Sequence, residues 1–268
     1  MDPLRLNSLE DMKSLALGLT LVQARLMPMF LLVPLFNRSI VPRTIAFGIS
    51  AGLGLLILPT LPVATISFGP ELILLVGKEA VLGAILGFLV AVPFWIFETL
   101  GFVIDNQRGA SMAATLNPLT GHDSSPLGML TAMAFITFFM VAGGIQVMLG
   151  LIYDSYRQWP PLSFWPSWTP EAATLLLQQI NRLMTLGLLL AAPALMAMFL
   201  AELGLALANR FAPQLQVFFL AMPIKSALGI FVLCLYAATL FDFGLEPIRQ
   251  TTLWLQRLSP WLEGPGRE

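Results

Sequence analysis

Polar side chains are concentrated in one part of this 268-residue chain, from Glu98 to Ser125. Glu98 and Asp105 are seven residues apart, so a helix would place both carboxylates on one face. Arg108 follows Asp105 by three residues, which is the spacing of an ion pair on a helix. Such a cluster could carry out acid–base chemistry, or it could anchor a loop.

Catalytic patterns are missing around this cluster. His122 and Asp123 are adjacent, and the side chains of adjacent residues do not face each other. The sequence contains no nucleophile elbow, no HExxH and no phosphate-binding glycine pattern. His122 is the single histidine and Cys234 the single cysteine, which excludes multi-histidine metal sites and internal disulfides. We therefore expect no enzyme, no metal and no cofactor.

A second polar set lies in the C-terminal third. Glu202 and Asn209 are seven residues apart on one predicted helix face, and Pro213 is expected to end that helix. Ionisable side chains in apolar segments suggest either an ion relay or a buried pair joining subunits, and we favour the pair. The residues predicted to make such contacts between subunits are Arg25, Glu202, Asn209, Arg210, Gln214 and Lys225.

The composition is that of a membrane protein. Lys and Arg number 14, Asp and Glu 15, so only 11% of the residues are charged, against about 25% in soluble domains. Apolar residues make up 57% of the chain, and the mean hydropathy is +0.82. The net charge of −1 leaves no basic stripe for nucleic acid. The sequence therefore predicts a protein in lipid or in a lipid-facing assembly.

Six apolar segments are predicted to be helices, which makes the fold all-α. Uncharged runs of about 20 residues are long enough to cross a bilayer. Twenty prolines and several charges interrupt the segments, so they are expected to pack against other helices, and some need not span lipid. The segments are Leu15–Phe36, 44–70, 80–97, 124–153, 183–201 and 226–241.

Two other patterns concern packing and connections. The pairs Gly48/Gly52 and Gly83/Gly87 have the four-residue spacing of closely packed helices, although 21 glycines could produce such pairs by chance. The small and polar residues of Gly109–Ser125 predict a loop, either in water or lining a cavity. The Trp- and Pro-rich stretch Trp159–Pro170 predicts an interfacial loop.

Three stretches resemble the FliR/SpaR/YscT/HrcT family of type III secretion export-apparatus proteins. They are QARLMPMFLLVPLFNRSIVPR at 23–43, IDNQRGASMAATLNPLTGHDSSPLG at 104–128 and NRFAPQLQVFFLAMPIK at 209–225. The likeness extends over roughly residues 15–255. DNQRG followed by SSPLG is more similar to the virulence-type injectisome branch, SctT, than to flagellar FliR.

The resemblance implies a fold, a location and partners. It implies one export-apparatus domain over 1–268, in which a FliP-like part of about 1–180 is fused to a FliQ-like helical hairpin of about 181–258. Members join FliP-like SctR and FliQ-like SctS in a gate in the bacterial inner membrane that protrudes towards the periplasm. SctU, SctV, the inner rod or needle, lipid and unfolded secreted proteins are the other implied contacts.

The resemblance also implies that the polar loop forms part of a plug in the export channel. Small, flexible and uncharged side chains can fill a lumen, bind nothing strongly and move aside. Glu98 and Asp105 would anchor the plug at its base. The matching plug positions are Asn106, Gln107, Arg108, Gly109, Ala110, Ser111, Met112, Ala113, Ala114, Asn117 and Pro118.

Two other functions fit a hydrophobic helical protein. A secondary transporter for a small solute would need a preformed pocket and usually internal repeats, and no convincing repeat is visible. A purely structural scaffold would make the plug irrelevant. Co-purification with FliP-like and FliQ-like chains favours the gate over the transporter, and a test of ion leak separates the gate from the scaffold.

Overall fold

The computed structural model describes residues 9–37, 41–60, 69–109, 125–162, 170–211 and 217–262. Within these ranges nearly every residue is helical and none is in a strand, so the all-α prediction is confirmed. Two short 3-10 turns, Pro34–Phe36 and Leu58–Thr60, accompany the α-helices. The helices are α1 Leu9–Leu32, α2 Arg43–Ile57, α3 Pro70–Arg108, α4 Pro126–Val141, α5 Gly144–Gln158, α6 Pro170–Phe211 and α7 Val217–Leu262.

Four helices of the described part are long and apolar enough to cross a membrane. They are α1, α3, α6 and the Leu220–Gly244 part of α7, and a fifth span results if the bent pair α4 and α5 counts as one. Helix α2 is apolar but has only 15 residues, fewer than the roughly 20 that a span needs. The chain is therefore a multi-pass membrane protein.

The helices differ from the uncharged runs in length and in their breaks. Helix α3 has 39 residues and continues through Pro93, well beyond the run 80–97. The run 124–153 was expected to be a single helix, and this was wrong: Gly143 has a φ of +81°, which separates α4 from α5. Helix α6 ends at Phe211, two residues before Pro213, as predicted.

The chain forms two compact units. The first comprises Met1–Ala91, Gly144–Leu177 and Arg249–Glu268. Its core is formed by α1, the first half of α3 and α5, with apolar side chains such as Leu21 and Leu86 excluded from solvent. The predicted boundary near residue 180 concerns likeness to other proteins and stays a prediction.

The second unit comprises Val92–Gly143 and Gln178–Ile248 and has an aromatic core. The rings of Phe97 and Phe135 are stacked with their centroids 4.2 Å apart. Phe94 meets Phe135 edge to face at 5.2 Å, and Phe241 stacks on Phe97 at 5.8 Å. Such pairs contribute about 0.5–1.5 kcal/mol each beyond the burial of their area. This core fixes the second half of α3 against α4 and α7.

The two glycine pairs have different surroundings. A methyl group on Gly83 would overlap the backbone carbonyl of Arg25, and one on Gly87 would come within 2.8 Å of the Met29 Cα. This pair is therefore the close contact between α3 and α1 that its spacing predicts. Gly48 and Gly52 have no neighbour within 4 Å of such a methyl group, so within the described residues their expected contact is not made.

Candidate functional site

Asp105, near the end of α3, accepts three hydrogen bonds within the described part of the second unit. Its Oδ2 accepts hydrogen bonds from the Ser125 hydroxyl at 2.6 Å and from the Leu127 backbone N–H at 2.8 Å. Its Oδ1 accepts from Arg108 Nε at 2.6 Å. The carboxylate is buried, and every one of these partners lies at the end of α3 or the start of α4. Asp105 thus joins the two ends of the segment between these helices.

The start of α4 explains why a carboxylate is stable in this position. Ser125 is the N-cap of α4, and its hydroxyl accepts from the Gly128 N–H at 2.9 Å. Pro126, at the first helical position, has no N–H to satisfy. The free N–H groups and the positive end of the helix dipole favour an anion here. The charge of Asp105 is therefore balanced by both Arg108 and the start of α4.

Arg108 connects this base to α7. Its Nη2 lies 2.6 Å from Asp105 Oδ1, which confirms the ion pair predicted from their spacing. Its Nη1 donates a hydrogen bond to the Ser226 hydroxyl at 3.0 Å. Gly109, the next residue, ends the helix with a φ of +83°, and a methyl group there would be 3.9 Å from Met222. Ser226 of α7 thus contacts the end of α3, and Met222 lies near it.

The predicted plug and its anchors are only partly described. Asn106 and Glu98 are exposed, whereas Gln107, Arg108 and Gly109 are half-buried. Glu98 and Asp105 lie on the same helix as predicted, but Asp105 alone joins the hydrogen-bond cluster. The remaining predicted positions lie outside the described residues: Ala110, Ser111, Met112, Ala113, Ala114, Asn117 and Pro118.

A buried charge cluster in the first unit is the main feature that the sequence analysis missed. Arg25 Nε donates to Glu79 Oε2 at 2.6 Å, and Lys78 Nζ lies 2.9 Å from Glu79 Oε1. The exposed fractions of the three side chains are 1%, 0% and 3% for Arg25, Glu79 and Lys78. The sequence does contain one indication of this cluster, since the adjacent charges Lys78 and Glu79 directly precede the apolar run 80–97. A buried charge needs a partner, but the sequence did not identify Arg25, 54 positions from Glu79, as that partner.

Arg25 has further partners within the chain. Its Nη1 donates to the Ser155 hydroxyl at 3.2 Å, and its Nη2 donates to the Trp159 carbonyl at 2.8 Å. The guanidinium lies 4.1 Å from the centroid of the Tyr156 ring, in a cation–π contact. The Tyr156 hydroxyl in turn donates to the Val22 carbonyl of α1 at 3.0 Å. Arg25 is therefore enclosed by α3, by α5 and by the residue that follows α5.

The extra positive charge of this cluster faces the end of α5. Lys78 Nζ lies 2.8 Å from the Pro161 carbonyl and 3.4 Å from the Pro160 carbonyl. These carbonyls follow the last residue of α5, and the ammonium group of Lys78 can donate hydrogen bonds to them. The two cations thus hold the start of the Trp- and Pro-rich stretch against α1 and α3. The remainder of that stretch, 163–169, lies outside the described residues.

The C-terminal polar residues form one internal ion pair. Lys225 Nζ on α7 lies 3.4 Å from Glu202 Oε2 on α6. The Lys225 side chain is 13% exposed, whereas that of Glu202 is 49% exposed and Asn209 and Arg210 are exposed as well. Gln214 lies outside the described residues. The role of this set and of Arg25 in contacts between subunits stays a prediction. Half of the Glu202 side chain is accessible for such a contact, whereas the Arg25 side chain is 1% exposed and its partners named above lie within the chain.

The chain is similar to known proteins over most of its length. The model of a family described as "Bacterial export proteins, family 1" matches residues 16–250. The chain is 40% identical over 249 residues to "Yop proteins translocation protein T" of Yersinia pestis, covering 91% of this chain and 95% of that protein. It is 33% identical over 217 residues to "Surface presentation of antigens protein SpaR" of Salmonella typhimurium, covering 80% of each.

A flagellar relative is less similar. "Flagellar biosynthetic protein FliR" of Bacillus subtilis is 26% identical over 223 residues, covering 82% of this chain and 86% of that protein. The injectisome relatives are thus nearer than this flagellar one, in agreement with the sequence analysis. The family model matches residues 16–250, and the identities to the relatives agree with this match. The chain therefore belongs to the bacterial export proteins, family 1, and is an export component of a type III secretion system.

Proposed function

We propose that this chain is a subunit of the gate through which unfolded proteins leave the bacterial cytoplasm. Its proposed partners are SctR and SctS, with SctU, SctV and the inner rod or needle as neighbours. The assembly would sit in the inner membrane and protrude towards the periplasm. Membership of the export family supports this, as do the names of the relatives, which refer to translocation and to surface presentation.

The lengths of the helices support a position partly outside the bilayer. At 1.5 Å per residue, the 39 residues of α3 extend about 58 Å and the 42 residues of α6 about 63 Å. The hydrocarbon core of a membrane is only about 30 Å thick. Each helix is therefore about twice as long as a perpendicular span, and the remainder of its apolar surface needs a protein neighbour.

The exposed surface of α6 supports neighbours made of protein. Only 22% of the most apolar 18-residue stretch of this helix is buried within the chain, so most of its surface is available for contact. Lipid tails would cover an apolar surface, but a charge facing lipid at the centre of a bilayer costs about 2.5–3.5 kcal/mol. Glu202, Asn209 and Arg210 are all exposed on α6. Sister subunits or a water-filled channel solvate these side chains at lower cost.

The Asp105 cluster is the observation that carries the proposal of a plug. A plug must be held at its base while its middle moves aside. The segment 110–124 is rich in small residues, and its two ends meet at one buried carboxylate. We therefore assign Asp105 as the anchor of the plug, and Asn106 to Ala114, Asn117 and Pro118 as its other positions. Glu98, which is exposed, would have at most a secondary role.

Deletion of residues 109–114 tests this function. The closed gate lacking these residues should leak ions several-fold faster than the intact gate, because the lumen is no longer filled. The measurement is ion flux through the purified gate in vesicles, after co-purification has shown that the FliP-like and FliQ-like chains are still present. Asp154→Asn, which changes an exposed carboxylate on α5, serves as the control and should leave the flux unchanged. An intact complex with unchanged flux would refute the plug.

A further inference from the structure

Helices α6 and α7 are joined by contacts that follow a single antiparallel register. The Tyr236 hydroxyl of α7 donates a hydrogen bond to the Leu190 carbonyl of α6 at 2.9 Å. Two turns further along α6, a methyl group on Gly229 of α7 would come within 2.9 Å of the Met198 sulfur. The ion pair between the two helices described above lies one more turn along both. Each step forward along α6 is thus matched by a step back along α7.

The hydrogen bond of Tyr236 lies at the turn of α6 that proline weakens. Helix α6 continues through Pro193, which has no N–H to bond the Leu189 carbonyl and whose ring crowds it. Prolines are tolerated in apolar helices where neighbouring helices satisfy the loosened backbone groups. Tyr236 bonds the next carbonyl, that of Leu190, on the same turn. A side chain of α7 therefore supports α6 where its own hydrogen bonds are weakest.

The shape of the exposed side of α6 depends on this turn. Ala191 and Ala194 are fully buried on one face of the helix, next to Pro193. On the outer side, Leu189 before the proline is 63% exposed and Leu200 after it is 62% exposed. Prolines are the usual sites at which helices bend. Any change of direction at Pro193 would therefore shift the apolar surface before it relative to the surface after it.

We propose that Tyr236 is a positioning residue that holds α6 in one shape at Pro193 and so prepares its exposed surface for a neighbouring subunit. A surface that is already in its bound shape loses less conformational entropy when a partner docks. The neighbour comes from the proposed function, on which this part of the inference rests. The support of α6 by Tyr236 is measured within the chain itself and does not depend on any partner.

Hydrogen exchange in α6 is the direct test. The full-length chain in detergent is compared with Tyr236→Phe, which keeps the ring and removes only the hydroxyl. We expect peptides covering residues 186–198 to exchange about five-fold faster in the variant, the effect of losing one net hydrogen bond at this turn. Tyr153→Phe removes a tyrosine hydroxyl from α5, in the other unit, and should leave exchange in these peptides unchanged.

A double-mutant cycle with Pro193→Ala separates this role from a general loss of packing. Alanine at 193 supplies the missing N–H, so α6 no longer depends on the Tyr236 hydroxyl at this turn. In the Pro193→Ala background, Tyr236→Phe should therefore change exchange less than about two-fold. An equal effect in both backgrounds would overturn the inference. If Tyr236→Phe cannot be recovered, Pro193→Ala alone decides, because it should slow exchange in the same peptides and unchanged rates would contradict the inference.

Recovery of the assembled complex tests the second half of the inference. Tyr236→Phe should lower co-purification with the FliP-like and FliQ-like chains at least two-fold, and Pro193→Ala should restore it. Faster exchange with normal recovery would show that Tyr236 does not prepare a docking surface. If the unaltered chain also fails to bind these partners, the proposed function is wrong, while the exchange rates still decide whether Tyr236 supports α6.

Discussion

At the scale of single residues, this protein relies on buried charges that are fully paired. Asp105 has two donors on each side, and Glu79 lies between Arg25 and Lys78. Removal of one member of a buried pair costs about 3–5 kcal/mol, because its partner is left uncompensated. Removal of either carboxylate is therefore expected to destabilise the protein strongly, because the cations around it would stay buried.

Asp105→Asn should loosen the base of the plug. The amide keeps the size of the side chain but loses the charge that binds Arg108 and the start of α4. We expect the complex to lose about 3 kcal/mol of unfolding free energy and to leak ions. Thermal unfolding in detergent and ion flux in vesicles measure these effects. Glu98→Gln changes an exposed side chain seven residues earlier on the same face of α3. It should lower the free energy of unfolding by no more than about 0.5 kcal/mol.

Glu79→Gln should have a more general effect. It leaves Arg25 and Lys78 buried with one carboxylate fewer, so a loss of about 3–5 kcal/mol is expected. The thermal unfolding temperature and the cellular level of the protein should both fall. Glu71→Gln, at the exposed first turn of the same helix, should cost less than about 1 kcal/mol. Equal losses in the two variants would contradict the importance of the cluster.

At the scale of elements, the spacing of glycine decides how closely helices approach. Gly83 and Gly87 bring the backbone of α3 against α1, and this approach places Glu79, one turn earlier, within reach of Arg25. A larger side chain would separate the helices and the charges together. Packing and electrostatics are therefore coupled at this contact.

Gly83→Ala should disrupt this contact. The added methyl group meets a backbone carbonyl, which cannot rotate aside as a side chain can. We expect a loss of at least about 1–3 kcal/mol in unfolding free energy. Gly48→Ala adds the same methyl group to α2 with no neighbour within 4 Å, and should be neutral or stabilising by up to about 1 kcal/mol. Thermal unfolding of the two variants provides the comparison, and a destabilised Gly48→Ala would contradict it.

Local signals in the sequence predicted many elements, whereas tertiary contacts were largely hidden. Gly109 and Pro213 correctly marked the C-terminal ends of α3 and α6, because these residues act on the backbone next to them, whereas Pro93 and Pro193 lie inside the two helices. The Asp105–Arg108 pair also followed from spacing on one helix. The contacts of Arg25 with Glu79 and of Arg108 with Ser226 join residues 54 and 118 positions apart. No periodicity encodes such contacts, since they depend on how the helices pack.

At the scale of the whole molecule, the chain exposes more apolar surface than a self-contained protein would. In the most apolar 18-residue stretch of each helix, the buried share is 22% for α6 and 17% for α7, whereas it is 67% for α3. Helix α3 thus acts as the internal scaffold, while α6 and α7 offer surface for assembly. In the proposed function, neighbouring subunits of the gate would cover this surface.

Glu202→Gln should reduce recovery of the assembled gate. The half-exposed carboxylate lies on the α6 surface that we propose to be covered by neighbours, and it also pairs with Lys225. We expect a several-fold lower yield of the complex in co-purification, while Asp154→Asn retains the normal yield. Normal assembly with failed export would instead indicate that Glu202 acts in transport.

The ion pair between Arg25 and Glu79 has a consequence for synthesis at the ribosome. These residues lie 54 positions apart, so at about 5–20 residues per second roughly 3–11 s pass between their translation. During this interval Arg25 lacks the carboxylate that it pairs with in the folded protein. We therefore expect α1 to enter lipid more readily once α3 has been made and Glu79 can pair with Arg25.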